Sequence, residues 1–211
     1  MSKMLIKQIN SNQERKLVLY VHGKGGNAEE ANFYINLFPD CDVAGLDYQA
    51  QTPWEAIEEF QHKTENLFQG YDKIILVANS IGAFYSMYAL NCFPIEKAYL
   101  ISPMVNLEKL IINMMSWTGV TEEELKEKEN IDTPFGERLS YKYLTWVRNN
   151  SIKWNIPTQI LYGEKDNLQS IDIITEFAEK INAQVTVMKK GEHWFHTDEQ
   201  MKFLSNWILS K

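Results

Sequence analysis

Short apolar runs alternate with longer amphipathic stretches along most of this chain, and that alternation constrains its fold more than any other feature. Residues 17–21 (LVLYV), 42–46, 73–78 (KIILVA), 97–101 (KAYLI), 158–162 (TQILY) and 184–188 (QVTVM) read as strands. Each stops at a Gly, Pro, Ser or Asn cluster or runs into a helical pattern. Between them lie helical stretches over 27–37, 54–69, 83–92, 170–181 and 197–209. Thr52-Pro53 forms a start signal, with Thr52 as cap and Pro53 at the first helical position, and Gly70 a stop. Strands separated by helices of ten or more residues imply βαβ units and a parallel sheet. Near-continuous apolar strands fit a sheet covered on both faces. The expected class is therefore α/β, with a mostly parallel central sheet of about six or seven strands flanked by helices.

One segment departs from the rhythm. Between Pro103 and Pro157 the chain shows helical periodicity and no convincing strand. Thr121-Glu122-Glu123-Glu124 within it has a capping-box pattern. A structureless loop of that length is uncommon in a compact domain, so a helical insertion over 103–156 is expected within a single domain spanning 1–211.

Bulk properties narrow the function classes. With 211 residues, 45% hydrophobic and 23% charged, the chain has ample length for a sizeable core. A formal net charge of −7, with no Lys/Arg-rich block, argues against nucleic-acid binding, which needs a basic face. No apolar run reaches the roughly 18 residues of a membrane span, and the N-terminus lacks a signal-peptide core. The two cysteines, Cys41 and Cys92, are too few for a disulfide framework or zinc ribbon and read as reduced thiols. A cytoplasmic protein is expected. Oligomeric state stays open between a monomer and a weak dimer.

The chemistry centres on Ala78-Asn79-Ser80-Ile81-Gly82, where an apolar strand runs into small-x-Ser-x-Gly and then a helix. Such a turn projects a serine nucleophile from a strained backbone, and small residues are needed two positions to either side. Taken alone, Ser80 could equally be a turn or cap serine. A second feature is His22-Gly23-Lys24-Gly25-Gly26, immediately after the first strand. Glycines there let backbone N–H groups turn inward toward a developing oxyanion. A phosphate cradle is the rival reading, but neither a GxGxxG pattern nor a P-loop Lys-Ser/Thr pair is present. Asp166, in Gly163-Glu164-Lys165-Asp166, falls just past the carboxyl end of a late strand, where parallel sheets bind ligands. A helix cap or solvated loop acid is its alternative. Of four histidines, His22 lies in the glycine loop and His62 in a charged helix. That leaves His193 and His196 as candidate bases. As a metal pair these two lack a third ligand at suitable spacing, so no metal and no cofactor is expected.

Ser80, Asp166 and His193 each follow a predicted strand, in the chain order Ser…Asp…His. On these motifs the sequence resembles the α/β-hydrolase superfamily, over nearly its whole length from Leu17 onward. The resemblance implies Ser80 as nucleophile, His193 as base and Asp166 as the acid that orients it. It further implies an oxyanion hole from the backbone N–H groups of Lys24 and Ile81, and a cap formed by residues 103–154. Two departures stand out: Ala78 replaces the usual glycine, and the N-terminal antiparallel strands reduce to one, over residues 4–9.

The implied activity is serine hydrolysis of a small or medium carboxylic ester through an acyl-enzyme. Thioesterase, peptidase and C–C hydrolase chemistries use the same groups, and a non-catalytic binding protein on this fold is the alternative from another class. Met104, Trp117 and Trp146 are candidate pocket residues in a Met- and aromatic-rich segment, with simple packing as their other reading.

Overall fold

The computed structural model describes residues 14–211, so the strand expected over residues 4–9 lies outside the described residues. Contacts divide the chain into two units, one formed by residues up to Met104 and from Lys153 onward, the other by Val105–Ile152.

The first unit is built on a six-stranded sheet, every neighbouring pair of which is parallel. Its strands are β1 (Lys16–Val21), β2 (Asp42–Gly45), β3 (Lys73–Asn79), β4 (Ile95–Ile101), β7 (Thr158–Gly163) and β8 (Gln184–Met188), in spatial order β2-β1-β3-β4-β7-β8. The helices between them are α1 (Pro53–Phe68), α2 (Ser80–Ala89), α6 (Ile171–Lys180) and α7 (Asp198–Leu209). Alternate strand residues point to opposite faces. Val18, Tyr20, Val77, Tyr99, Ile101 and Leu161 form one buried layer with Leu204, Trp207 and Ile208 of α7. Leu17, Leu19, Leu76 and Leu100, also buried, alternate with them toward the other face. Each such side chain contributes about 1.5–3 kcal/mol by leaving water, so β1, β3 and β4, apolar on both faces, sit inside the sheet and not at its edges.

The chain steps from β1 outward to β2 and then returns across β1 to β3. Loops leaving adjacent strands β1 and β3 therefore run in opposite directions, and a crevice opens at the carboxyl ends between them. Both sequence motifs leave from these two strand ends.

Strand and helix positions agree closely with the sequence pattern, with instructive exceptions. The helix expected over 27–37 is a shorter 3-10 helix, Ala28–Tyr34. Its two buried residues, Ala31 and Tyr34, are three apart and eclipse one another in the three-residue turn, facing the sheet core. The helix expected from Ala83 starts at Ser80 itself.

The second unit contains α3 (Leu107–Thr118), α4 (Glu122–Lys128), an antiparallel hairpin of β5 (Asn130–Asp132) and β6 (Arg138–Ser140), and α5 (Tyr141–Asn149). The hairpin escaped the helical reading of this segment because its strands are three residues long and its signal lies in the turn. Thr133 closes that turn: its Oγ1 donates to the Glu137 carbonyl at 2.7 Å and accepts from the Glu137 N–H at 3.0 Å. Gly136 supplies the left-handed residue. Ile111, Met115, Leu125, Leu139 and Leu144 form the unit's own core. Thr121 caps α4, accepting from the Glu124 N–H at 3.1 Å.

Candidate active site

β3 passes into α2 with no intervening residue, and the junction falls at Ser80. Ser80 takes φ 50°, a left-handed conformation that costs a non-glycine residue about 1–3 kcal/mol. The turn is tight because α2 approaches the first loop closely. A Cβ on Gly82 would stand 2.1 Å from the His22 carbonyl oxygen, so no other residue fits there. Ala78, in the position where glycine is usual, is fully buried in β3 between Val21 and Leu100, and its methyl group is accommodated within the sheet.

The turn aims the Ser80 hydroxyl at His193, with Oγ 2.8 Å from Nε2. On the far side of the ring, Nδ1 lies 2.6 Å from Asp166 Oδ2. The Asp166 side chain is 1% exposed, and its second oxygen accepts backbone N–H groups from Leu168 at 2.8 Å and Gln169 at 3.2 Å. A buried carboxylate needs such donors, and they fix which oxygen faces the imidazole. The loops carrying Asp166 and His193 are tied to each other as well. The Glu164 N–H donates to the Met188 carbonyl at 3.0 Å, and the Lys165 N–H to the Gly191 carbonyl at 2.7 Å.

The glycine loop after β1 lies directly against this turn. A Cβ on Gly23 would stand 3.2 Å from Ser80 Cβ, which places the following residue, Lys24, near the Ser80 turn. Ile81 is the second residue of α2, where backbone N–H groups have no partner inside the helix. His22 is buried and locked by three contacts. Its ring stacks on Tyr48 at 4.2 Å, its Nδ1 lies 2.8 Å from the Gly23 carbonyl, and its own carbonyl accepts the Tyr48 hydroxyl at 2.9 Å. Burial first, then the charge environment of Tyr85, Glu59 and Glu30, holds the Tyr48 phenol above its ordinary pKa and therefore protonated as a donor.

No protein-family model matches the sequence, and no curated protein matches it. Solved structures do. Est1E from Butyrivibrio proteoclasticus superposes with a TM-score of 0.72 at 14% identity, covering 95% of this chain and 88% of that one. Alpha/beta hydrolase domain-containing protein 10 from mouse gives 0.73 at 15%, over 91% and 87%. The esterase domain of a Rhodothermus marinus protein gives 0.64 at 11%, over 95% and 87%. The chain has the α/β-hydrolase fold.

Within this α/β-hydrolase fold, the remaining candidates separate clearly. His196 does not face Ser80: its Nδ1 lies 2.7 Å from the Trp194 carbonyl and its ring stacks on the exposed Trp194 indole at 4.2 Å. His62 is exposed on α1. Among the described residues no three His, Cys, Asp or Glu side chains converge on a metal-sized site. Met104 is buried, and its N–H donates to the Ser80 carbonyl at 3.1 Å, so its backbone braces the Ser80 turn. Trp117 and Trp146 belong to the second unit. Trp117 is 60% exposed and meets Phe135 edge-on, while Trp146 is half-buried on α5.

Two contributors escaped the sequence reading. Ser102, at the end of β4, also takes a left-handed φ of 43° and donates its N–H to the Leu161 carbonyl at 2.8 Å, next to the turn. Ser102-Pro103 read only as a strand stop. Tyr48 showed no signal, since its value lies in the stacking and hydrogen bond it makes across the fold. Among the described residues, no helix is long and apolar enough to cross a membrane.

Proposed function

We propose that this protein is a serine hydrolase that cleaves a small or medium carboxylic ester. The observation that carries the reading is the continuous hydrogen-bonded line from Ser80 Oγ through His193 to Asp166, at 2.8 and 2.6 Å, mounted on a turn whose serine is held at φ 50°. A structural serine has no need of a left-handed backbone, a close imidazole and a buried carboxylate behind it. The fold neighbours named as Est1E and as an esterase domain support ester chemistry.

In this mechanism His193 Nε2 takes the Ser80 proton as Oγ attacks the acyl carbonyl. Asp166 holds the ring with Nδ1–H toward its own carboxylate and stabilises the imidazolium. The Ile81 and Lys24 N–H groups receive the tetrahedral oxyanion, an interaction stronger in the transition state than in the ground state. Return of the proton from His193 to the alkoxide releases the alcohol and leaves an acyl group on Ser80. Water, deprotonated by His193, then hydrolyses that ester and restores the free serine. The residues named require no metal or organic cofactor for these steps.

A fluorophosphonate probe tests the reading. Stoichiometric labelling of the folded wild type, lost in Ser80→Ala, is the expected result. A folded wild type that stays unlabelled would overturn it in favour of a non-catalytic binding protein. An ester panel of varied acyl length, with one thioester and one anilide included, then separates carboxylic-ester from thioester and amide chemistry.

A further inference from the structure

The glycine loop that the proposed mechanism uses for its oxyanion hole has little regular structure of its own. A short turn, the Gly26 N–H donating to the Gly23 carbonyl at 3.1 Å, and the Tyr48 hydroxyl on the His22 carbonyl hold its near end. Side-chain hydrogen bonds tie its far end to β1. The Glu30 carboxylate accepts the Asn27 N–H at 3.3 Å through one oxygen and the Tyr20 hydroxyl at 2.5 Å through the other. Tyr20 is 2% exposed, next to last in β1 and beside Val77 of β3. Val77 and Asn79 share one face of β3, two residues apart. A line of hydrogen bonds thus runs from the far end of the glycine loop, through Glu30, to Tyr20, in the strand that pairs with the one leading into Ser80.

A phenylalanine at position 20 would fill the same apolar layer without burying a hydroxyl, whose desolvation is costly unless it is paired. The phenol is a permanent donor: burial first, then Tyr34 and Glu30, keep it protonated.

We propose that Tyr20 and Glu30 are positioning residues for the reaction, setting the distance between the Lys24 N–H and Ser80 by tying the far end of the glycine loop to β1 while Gly23 at its near end packs against Ser80. This rests on the serine-hydrolase reading above. Misplacing a transition-state donor lowers kcat and leaves ground-state binding nearly intact.

The experiment measures p-nitrophenyl acetate hydrolysis per fluorophosphonate-labelled serine, which normalises for any unfolded fraction. Tyr20→Phe is expected to lower kcat about tenfold or more with KM within about twofold, in line with the sensitivity of catalysis to small displacements. Glu30→Ala is expected to match it. Glu30→Gln, which keeps an acceptor for Asn27, should recover part of the loss. Should Tyr20→Phe fold poorly, the surface-accessible Glu30 pair carries the test by itself. An unchanged kcat per labelled serine in Tyr20→Phe or in Glu30→Ala overturns the inference alone. Absence of labelling and turnover in the wild type overturns the functional reading and this inference together.

Discussion

The carboxyl edge of the large sheet and the second unit, Val105–Ile152, are held together by different means. At the sheet edge, hydrogen bonds hold Asp166 through two backbone donors and the His22 carbonyl through Tyr48, and Gly82 packs against that same carbonyl with no room for a Cβ. The second unit relies on five buried side chains and on surface charge, with Arg148 donating to Glu108 at 2.7 Å and to Glu122 at 2.5 and 2.9 Å. Buried polar networks tolerate no vacancy, because each lost partner strands another group away from water. A small apolar core with exposed ion pairs degrades gradually. The first arrangement suits fixed geometry, the second suits a segment under looser constraint.

The comparison breaks most visibly at the nucleophile. Ser80→Ala and His193→Ala are each expected to lower ester turnover by as much as ~10⁶-fold, measured with p-nitrophenyl acetate. His196→Ala, whose ring only stacks on Trp194, should retain most activity. Equal losses at positions 193 and 196 would contradict the assignment of the base.

Gly82→Ala comes next, as a test of rigidity at the sheet edge. Its methyl group must displace the His22 carbonyl, so a loss of at least about 1–3 kcal/mol is expected, with activity falling further than stability. Denaturant titration beside single-turnover kinetics reads both.

Leu125→Ala opens the core of the second unit and should cost about 2–5 kcal/mol there. Amide hydrogen exchange should show lost protection in α3 and α5 with β3 and β4 unaffected. Uniform loss across both units would erase the distinction drawn above.

The smallest effect belongs to Arg148→Ala. Its ion pairs are solvent-accessible, so less than about 1 kcal/mol is expected, and less again at high salt. The Arg148 guanidinium, by hydrogen bond and charge, lowers the Glu122 pKa. The contribution is therefore present at neutral pH and lost as pH falls through the folded-state pKa of Glu122. A flat acid limb in a wild-type against Arg148→Ala comparison would show the pair to be energetically silent.

Much of this molecule was legible in its sequence. Short apolar runs located all six strands of the large sheet, most sharply the inner four, because a central parallel strand must be apolar on both faces. Ser80, Asp166 and His193 stood out because each follows such a run, and in a parallel sheet all those run-ends share one edge. Short-range signals without a burial pattern were harder. The β5–β6 hairpin is too brief for alternation to register, and the winding of residues 28–34 depends on what Ala31 and Tyr34 pack against.

The sequence by itself determined the class of fold and the set of side chains available at the sheet's carboxyl edge, since strand periodicity and residue type are local properties. Tertiary structure alone decided that His193 and not His196 meets Ser80, that Ala78 fits where glycine is usual, and that Tyr20 and Glu30 tie the far end of the glycine loop to β1. Those are distances between groups far apart in the chain, set by how the strands pair and by the closeness with which α2 approaches β1.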